Sequence, residues 1–346
     1  MAKALKAVFS IGIIVAVLAI VLWNIDLAKL AEAFANVRWP WFLLGTAITL
    51  FLAWLRAWRW GLLLRPLRRV STLRMFQYFM AGFFGNFLPA RAGEFIRAYI
   101  VSEREQVPYS ASLATIVLER LFDMFFVLLL LAILFVTRAD VFASALTFEF
   151  GGQPFNLGTV LKQFGYISFL LSLGLLAFSL FLHFKPAFTL RCTAFCLKPL
   201  PAKLAGKIDG IIRMFLQGLG VLGNRRDLLV VIALSTIIWG MSVVNYIPFF
   251  PACNAVPNTD YFTAGLMTVV FVAAFITIIP APGFLGSYQL ACTVALFRIL
   301  GIPEVDAVAY GFVAWAGGFI PIMILGPLYL MKFGISITSI NKPAAA

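Results

Sequence analysis

Six apolar runs, each about the length of a bilayer-spanning helix, fall at roughly 7–23, 40–64, 111–136, 164–184, 228–250 and 307–330. Runs of this kind restrict a fold severely. A hydrocarbon core about 30 Å thick is crossed by about 20 helical residues, and lipid offers the backbone no hydrogen-bond partner. Each run must therefore satisfy its own N–H and C=O groups, which an α-helix does and an isolated strand does not. The expected fold class is an all-α polytopic membrane protein. Composition agrees, with 62% hydrophobic and 12% charged residues, against about 45–50% and about 25% in soluble domains.

The formal net charge of +13 raises the question of a nucleic-acid partner. A DNA- or RNA-binding face needs a soluble domain to carry it, whereas the basic residues here sit between apolar runs. Anionic lipid headgroups are the expected counter-charge, and no nucleic acid is expected. Arg65, Arg68, Arg69 and Arg74 follow the second run, and a loop at about 185–226 holds Lys185, Arg191, Lys198, Lys203, Lys207, Arg213, Arg225 and Arg226. By the positive-inside rule both segments are cytoplasmic, as are the two termini. Within that loop the apolar residues of 204–219 recur at helical spacing, which predicts an amphipathic helix lying in the interface. Trp54, Trp58 and Trp60 alternate with Arg56 and Arg59 at the end of the second run. Indole rings at headgroup level with arginines snorkelling outward account for that pattern; a clamp on lipid phosphate is the functional alternative. The first run is expected to persist as a signal anchor, since Ala31-Glu32-Ala33 lies too far beyond it for ordinary cleavage.

Little else suggests catalysis. The four cysteines, Cys192, Cys196, Cys253 and Cys292, lack nearby histidine or carboxylate partners and read as small apolar residues, and the single histidine, His183, ends an apolar run. No metal site, Gly-rich nucleotide loop or Ser-His-Asp set can be assembled. The expectation is a protein without cofactor or metal that is not an enzyme; an intramembrane lipid transferase using Glu94 or Asp123 as base is the alternative.

Two further apolar stretches are broken. The segment 75–101 is interrupted by Gly82, Gly85, Pro89 and Gly93, and 261–300 is interrupted by Pro280, Pro282, Gly283 and Gly286. Irregular backbone at membrane depth is tolerated only where protein buries it or water reaches it, so both read as re-entrant helical hairpins. The order is then span, span, hairpin, span, twice over, at about 1–136 and 160–332 of a single domain covering 1–346. Three crossings per half give the halves opposite orientation, an arrangement that places substrate between discontinuous helices near the midplane. The hairpins are expected to meet around a cavity, their geometry set by Pro89, Gly93, Pro280, Pro282, Gly283 and Gly286.

The first hairpin also carries charge. In NFLPARAGEFIR, 86–97, Arg91, Glu94 and Arg97 stand beside Asn86, and the following span opens with Glu119, Arg120 and Asp123. Three positive and three negative groups can neutralise one another. Glu94 with Arg97 and Arg120 with Asp123 are i, i+3 pairs, and Glu119 with Asp123 is i, i+4, so each pair shares a helix face. An ionisable group at membrane depth costs roughly 2.5–3.5 kcal/mol on insertion scales and marks a substrate path by default. A buried network that pins the hairpin to the next span is the scaffolding alternative. Arginines could take a phosphate bidentately and the carboxylates an amine; Ser287 and Gln289 on the second hairpin complete the candidate substrate-binding set.

The stretches GNFLPARAGEFIRAYIV at 85–101, VLERLFD at 117–123 and PAPGFLGSYQ at 280–289 resemble the transmembrane domain of the lysylphosphatidylglycerol synthase and flippase family, over essentially the whole chain. The resemblance implies a bundle that moves a lipid between leaflets of the bacterial inner membrane, as a stand-alone module without the aminoacyl transferase domain of bifunctional members. The implied cargo is an anionic or zwitterionic phospholipid; polyprenyl-linked or hopanoid lipids are alternatives, as is a lipid-modifying enzyme or an accessory subunit of a lipid synthase. A lipid-synthase partner and a homo-oligomer both suit that class. Many relatives carry glutamate where Gln289 stands and glycine where Phe284 stands, which weakens the carry-over to the second hairpin.

Overall fold

The computed structural model describes residues 2–23, 25–87, 92–137, 147–150, 153–156, 224–257, 259–279 and 281–335, with scattered residues between 163 and 213. Most of the expected fourth span and of the interfacial helix lies outside the described residues, as do Arg91, Pro89, Pro280, His183, Cys192 and Cys196.

Among the described residues the regular structure is helical apart from one short hairpin, strands β1 (Thr147–Phe150) and β2 (Gln153–Asn156), paired antiparallel. Helix α1 (Ala2–Leu22) leads into α2 (Leu27–Ala35), which the sequence reading did not anticipate. Asp26 starts α2 by accepting the backbone N–H groups of Ala28 at 3.0 Å and Lys29 at 3.2 Å, satisfying two otherwise unpaired donors. The two helices meet at 95°. Next come α3 (Trp39–Leu64), α4 (Thr72–Phe84), α5 (Gly93–Glu105) and α6 (Tyr109–Thr137). The chain is picked up again in α7 (Arg225–Tyr246) and α8 (Phe249–Ala252), followed by α9 (Tyr261–Ile278), α10 (Ser287–Cys292) with a π-helical continuation Thr293–Ile299, and α11 (Glu304–Lys332).

Four helical stretches among the described residues are long and apolar enough to cross a membrane: Trp39–Leu64, Arg225–Ala252, Tyr261–Ile278 and Glu304–Lys332; α1 and α2 pass the same test only when the bent pair is taken together. This is a multi-pass membrane protein. Helix α6, 29 residues long, carries Glu119, Arg120 and Asp123 in its first half.

The segment 75–101 is indeed broken. Helices α4 and α5 hold 13 residues each, about 20 Å apiece at ~1.5 Å per residue and too short to cross alone. They lie antiparallel, with Gly82 against Arg97 and Gly85 against Ile96 and Gly93. A Cβ on Gly82 would fall inside the Arg97 side chain, so the close approach of α4 and α5 needs glycine there.

The second broken segment is less symmetric than expected. Its first arm, α9, is long enough to span, whereas the second arm holds only six α-helical residues before the π-helical turn. Between them a short 3-10 turn, Pro282–Phe284, places Gly283 at φ 59° and Phe284 at φ 61°, and Gly286 has φ 88°. Glycine adopts such left-handed backbone without steric penalty, whereas Phe284 holds it at a cost.

The two breaks touch. A Cβ on Gly283 would lie 2.5 Å from the Phe87 ring, which is how closely one tip seats on the other. Phe83, Phe84, Phe87, Phe284 and Phe319 stack around this contact at centroid distances of 5.3–6.4 Å. Among the described residues the meeting point is packed with aromatic rings. Trp315 on α11 fixes the second tip by donating its indole N–H to the Gly283 carbonyl at 2.8 Å.

Candidate functional site: a buried ion network between α3, α5 and α6

At its centre is Glu119, fully buried on α6. Arg97 of α5 reaches it through both Nη atoms, at 2.7 and 3.4 Å. Arg120 approaches the same carboxylate at 2.8 Å and Arg59 of α3 at 3.6 Å. One helical turn further on, Asp123 accepts from Arg59 at 2.7 Å and from the Trp239 indole of α7 at 3.2 Å, and lies 3.3 Å from Arg120. Glu94, at the start of α5, lies 3.4 Å from Arg120. Both partners of that last pair are partly exposed, with side-chain accessibilities of 38% for Arg120 and 45% for Glu94, whereas Arg59 and Glu119 stand at 0% and Arg97 at 2%.

The surroundings explain why charge can sit here. The Arg97 guanidinium is held between aromatic faces, 4.1 Å from the Trp60 centroid and 4.8 Å from that of Phe79. A desolvated contact of this kind contributes about 2 kcal/mol. Trp60 is itself fixed by donating to Thr115 Oγ1 at 3.1 Å, and Arg59 donates to Ser235 Oγ at 3.0 Å. Low local dielectric strengthens each of these bonds and raises the cost of leaving any partner alone.

Of the six charged residues the sequence singled out, Glu94, Arg97, Glu119, Arg120 and Asp123 are brought together; Arg91 lies outside the described residues. The expected pairing within α5 is not the one formed. Arg97 turns to Glu119 and Glu94 to Arg120, because the hairpin lies against α6 and offers a buried partner that a neighbour one helical turn away cannot match.

Arg59 corrects the sequence reading outright. Expected to snorkel outward, it is instead buried in the network and supplies a third cation. The signal was present, since Arg59 lies three residues after Arg56 and beside Trp60 on a span-length helix, but headgroup-level tryptophan and arginine give the same pattern.

Two other expected substrate contacts take structural roles. Ser287 Oγ donates to the Phe284 carbonyl at 3.0 Å, and Gln289 Oε1 accepts the Gly286 N–H at 2.7 Å. Both are fully buried and cap the turn into α10, consistent with irregular backbone that needs its own polar partners. Asn86 packs its amide against Gly93, where a Cβ would lie 2.5 Å from Asn86 Oδ1. Cys253 and Cys292 are free and buried. Among the described residues no group of three His, Cys, Asp or Glu side chains could hold a metal ion.

A helical multi-pass protein with two broken segments touching at their tips and a buried ion network beside one of them defines a class: polytopic helical membrane proteins with an irregular, charged interior. More specifically, the chain belongs to the family described as the lysylphosphatidylglycerol synthase TM region, which it matches over residues 7–326. Among curated proteins it is similar to a glycosyltransferase, AglD, of Haloferax volcanii, with 24% identity over 282 residues. That match takes in 75% of this chain and 43% of the archaeal protein, so the chain spans less than half the length of that relative. No solved structure matches it significantly.

Proposed function

We propose that this protein moves a lipid, a phospholipid with a charged headgroup, between the leaflets of a bacterial inner membrane. The observation that carries the reading is the ion network. Replacing a buried ion pair by well-packed apolar residues is often neutral or stabilising, so stability is a poor reason to keep three arginines and three carboxylates together at bilayer depth. The half-exposed Glu94 and Arg120 form its accessible edge, where a headgroup would exchange partners: phosphate with the guanidinium, an amine with the carboxylate. Family membership supports a lipid-related role. In this reading the two broken segments are re-entrant hairpins of oppositely oriented halves, the termini are cytoplasmic, and the aromatic rings packed at the tips are a plug, a closed state of the path between them.

The test is leaflet exchange of labelled phospholipids in liposomes holding the purified protein. Exchange above empty liposomes is expected, with Glu94→Gln slowing it while unfolding stability stays near wild type. Rates equal to empty liposomes across a broad lipid panel would refute the reading.

The resemblance to a protein named as a glycosyltransferase supports a second reading, in which the module handles a polyprenyl-linked lipid for a synthase or itself modifies lipid. That reading requires a new lipid species on a chromatogram, or co-purification with a synthase while alanine at the network positions is tolerated.

A further inference from the structure

One cation at membrane depth lies beside the network but outside its pairings. Arg56 sits one helical turn from Arg59 on α3, yet among the described residues no carboxylate pairs with it. Its Nε, like those of Arg59, Arg97 and Arg120, is buried without a hydrogen-bond partner; what sets Arg56 apart is that its Nη2 reaches Ser242 Oγ at 3.5 Å and no carboxylate, with its guanidinium 5.9 Å from the Trp239 ring centroid. The described acids of the site, Glu94, Glu119 and Asp123, are matched by Arg59, Arg97 and Arg120. Arg56 is a fourth cation, and one negative charge would balance it.

Arg56 is also one rung of a ladder. Helices α3 and α7 run antiparallel, and along their seam Arg65 pairs with Asp227 at 2.7 Å, Arg59 with Ser235 at 3.0 Å, Arg56 with Ser242 at 3.5 Å and Thr49 with Asn245 at 3.1 Å. These rungs descend one side of the seam, while Leu52, Leu55, Leu234 and Ile238 pack as an apolar cluster on another. A polar strip flanked by apolar packing matches a lipid's division into headgroup and chains. At the Arg65 end two cavities of about 160 and 260 Å³ open, both lined by Arg65 and Arg69.

We propose that the α3–α7 seam is a headgroup track and that Arg56 is its phosphate station: a singly charged phosphodiester enters at Arg65 and Arg69, and its phosphate docks on Arg56 beside Ser242 and Trp239. This rests on the lipid-translocation reading and adds to the path between the tips a docking stretch for the headgroup on the α3–α7 side of the network. The chemistry selects a monoanionic phosphate lipid over a neutral lipid of the same chains, because a guanidinium with no ion pair of its own discriminates by charge and by two-point hydrogen bonding. Serine, threonine and asparagine rungs then pass the headgroup on without trapping it.

Two measurements test this. Native mass spectrometry of the detergent-purified protein mixed with phosphatidylglycerol, with diacylglycerol of the same chains or with inorganic phosphate reads binding; leaflet exchange of labelled phosphatidylglycerol in liposomes reads transport. Wild type is expected to retain phosphatidylglycerol but not diacylglycerol. Arg56→Gln should weaken that retention about tenfold, the loss of one charge-assisted contact, and Arg56→Lys should restore part of it. Thermal unfolding of each variant separates loss of the site from loss of the fold, and Ser242→Ala offers a milder probe if Arg56→Gln fails to fold. Undiminished retention and exchange in Arg56→Gln and Ser242→Ala would overturn the track. Inorganic phosphate binding equally well without lipid would assign the site to a soluble anion and also overturn it. Arg56-dependent retention without exchange by wild type would uphold the site and refute the transport reading; exchange independent of Arg56 would do the reverse.

Discussion

The perturbation that most directly tests the architecture of the network is removal of Glu119 alone and together with Arg97. Glu119 is fully buried and meets Arg97 at 2.7 and 3.4 Å, Arg120 at 2.8 Å and Arg59 at 3.6 Å. Glu119→Leu leaves those three guanidinium groups facing only Asp123 and Glu94. Breaking a buried pair from one side costs about 3–5 kcal/mol, because the remaining charge stays desolvated without a partner. Arg97→Leu should cost as much, with the lost contacts to Trp60 and Phe79 adding to it. In the double variant Arg59 and Arg120 still balance Asp123 and Glu94, so the charge imbalance disappears. The double variant should therefore be less destabilised than the sum of the singles by about 2–3 kcal/mol, the upper part of the range for residues in one network. The assay is equilibrium unfolding in mixed detergent micelles, followed by tryptophan fluorescence. Glu94→Gln is the control: its pair with Arg120 is partly exposed on both sides, and its loss should cost less than about 1 kcal/mol. Simple additivity of Arg97→Leu and Glu119→Leu, or a Glu119→Leu variant as stable as Glu94→Gln, would refute the description of a closed buried network.

Three further outcomes follow from the geometry. Arg59→Lys should lose about 1–3 kcal/mol, because a single ammonium cannot hold Asp123 at 2.7 Å and Ser235 at 3.0 Å from two separate nitrogens; the same unfolding assay reads it, and a variant as stable as wild type would contradict the two-sided role. Gly82→Ala should cost about 1–3 kcal/mol, since the added methyl meets the Arg97 side chain and forces α4 and α5 apart, and a neutral result would mean the hairpin packs more loosely than described. Phe87→Ala removes the ring that seats Gly283, and in liposomes it should raise the basal rate of lipid exchange; an unchanged or lower rate would count against the plug as a closed gate.

The helical, membrane-spanning character of the chain was legible from single residues because lipid leaves the backbone one economical solution, and the run 307–330 carries no charged residue while 40–64 carries only Arg56 and Arg59. The breaks were legible for a related reason: glycine and proline cluster at 82–93 and 280–286 densely enough to weaken a helix, although α11 keeps Pro321 and Pro327 within one unbroken helix. What could not be read was which neighbour each charge chooses. Local spacing favours Glu94 with Arg97, yet Arg97 pairs with Glu119, 22 residues away in sequence, because burial between α5 and α6 makes the long-range bond stronger than the local one. Arg59 was missed for the mirror-image reason. Its local context is that of an interfacial anchor, and only the packing of α3 against α6 and α7 reveals that the arginine points inward to Asp123 and Ser235.

Arg59 also changes how the two halves of the site relate. With the first hairpin alone, the charged residues would form a patch on α5 and α6, and movement of that hairpin would carry its charges with it. Arg59 ties Glu119 and Asp123 to α3, and Trp239 ties Asp123 to α7, so the carboxylates on α6 are also held by helices outside the hairpin. The hairpin contributes Arg97 and Glu94, which meet that fixed frame at Glu119 and Arg120. Under the lipid-translocation reading the frame stays and the hairpin is the part that can leave, since separating α5 from α6 breaks the pairs Arg97–Glu119 and Glu94–Arg120 whereas separating α6 from α3 would take the buried Arg59 from both Glu119 and Asp123. A headgroup phosphate arriving at Arg120 would compete with Glu94 for the guanidinium, and that exchange at the exposed edge of the network is the step by which cargo could loosen the hairpin without unmaking the buried core.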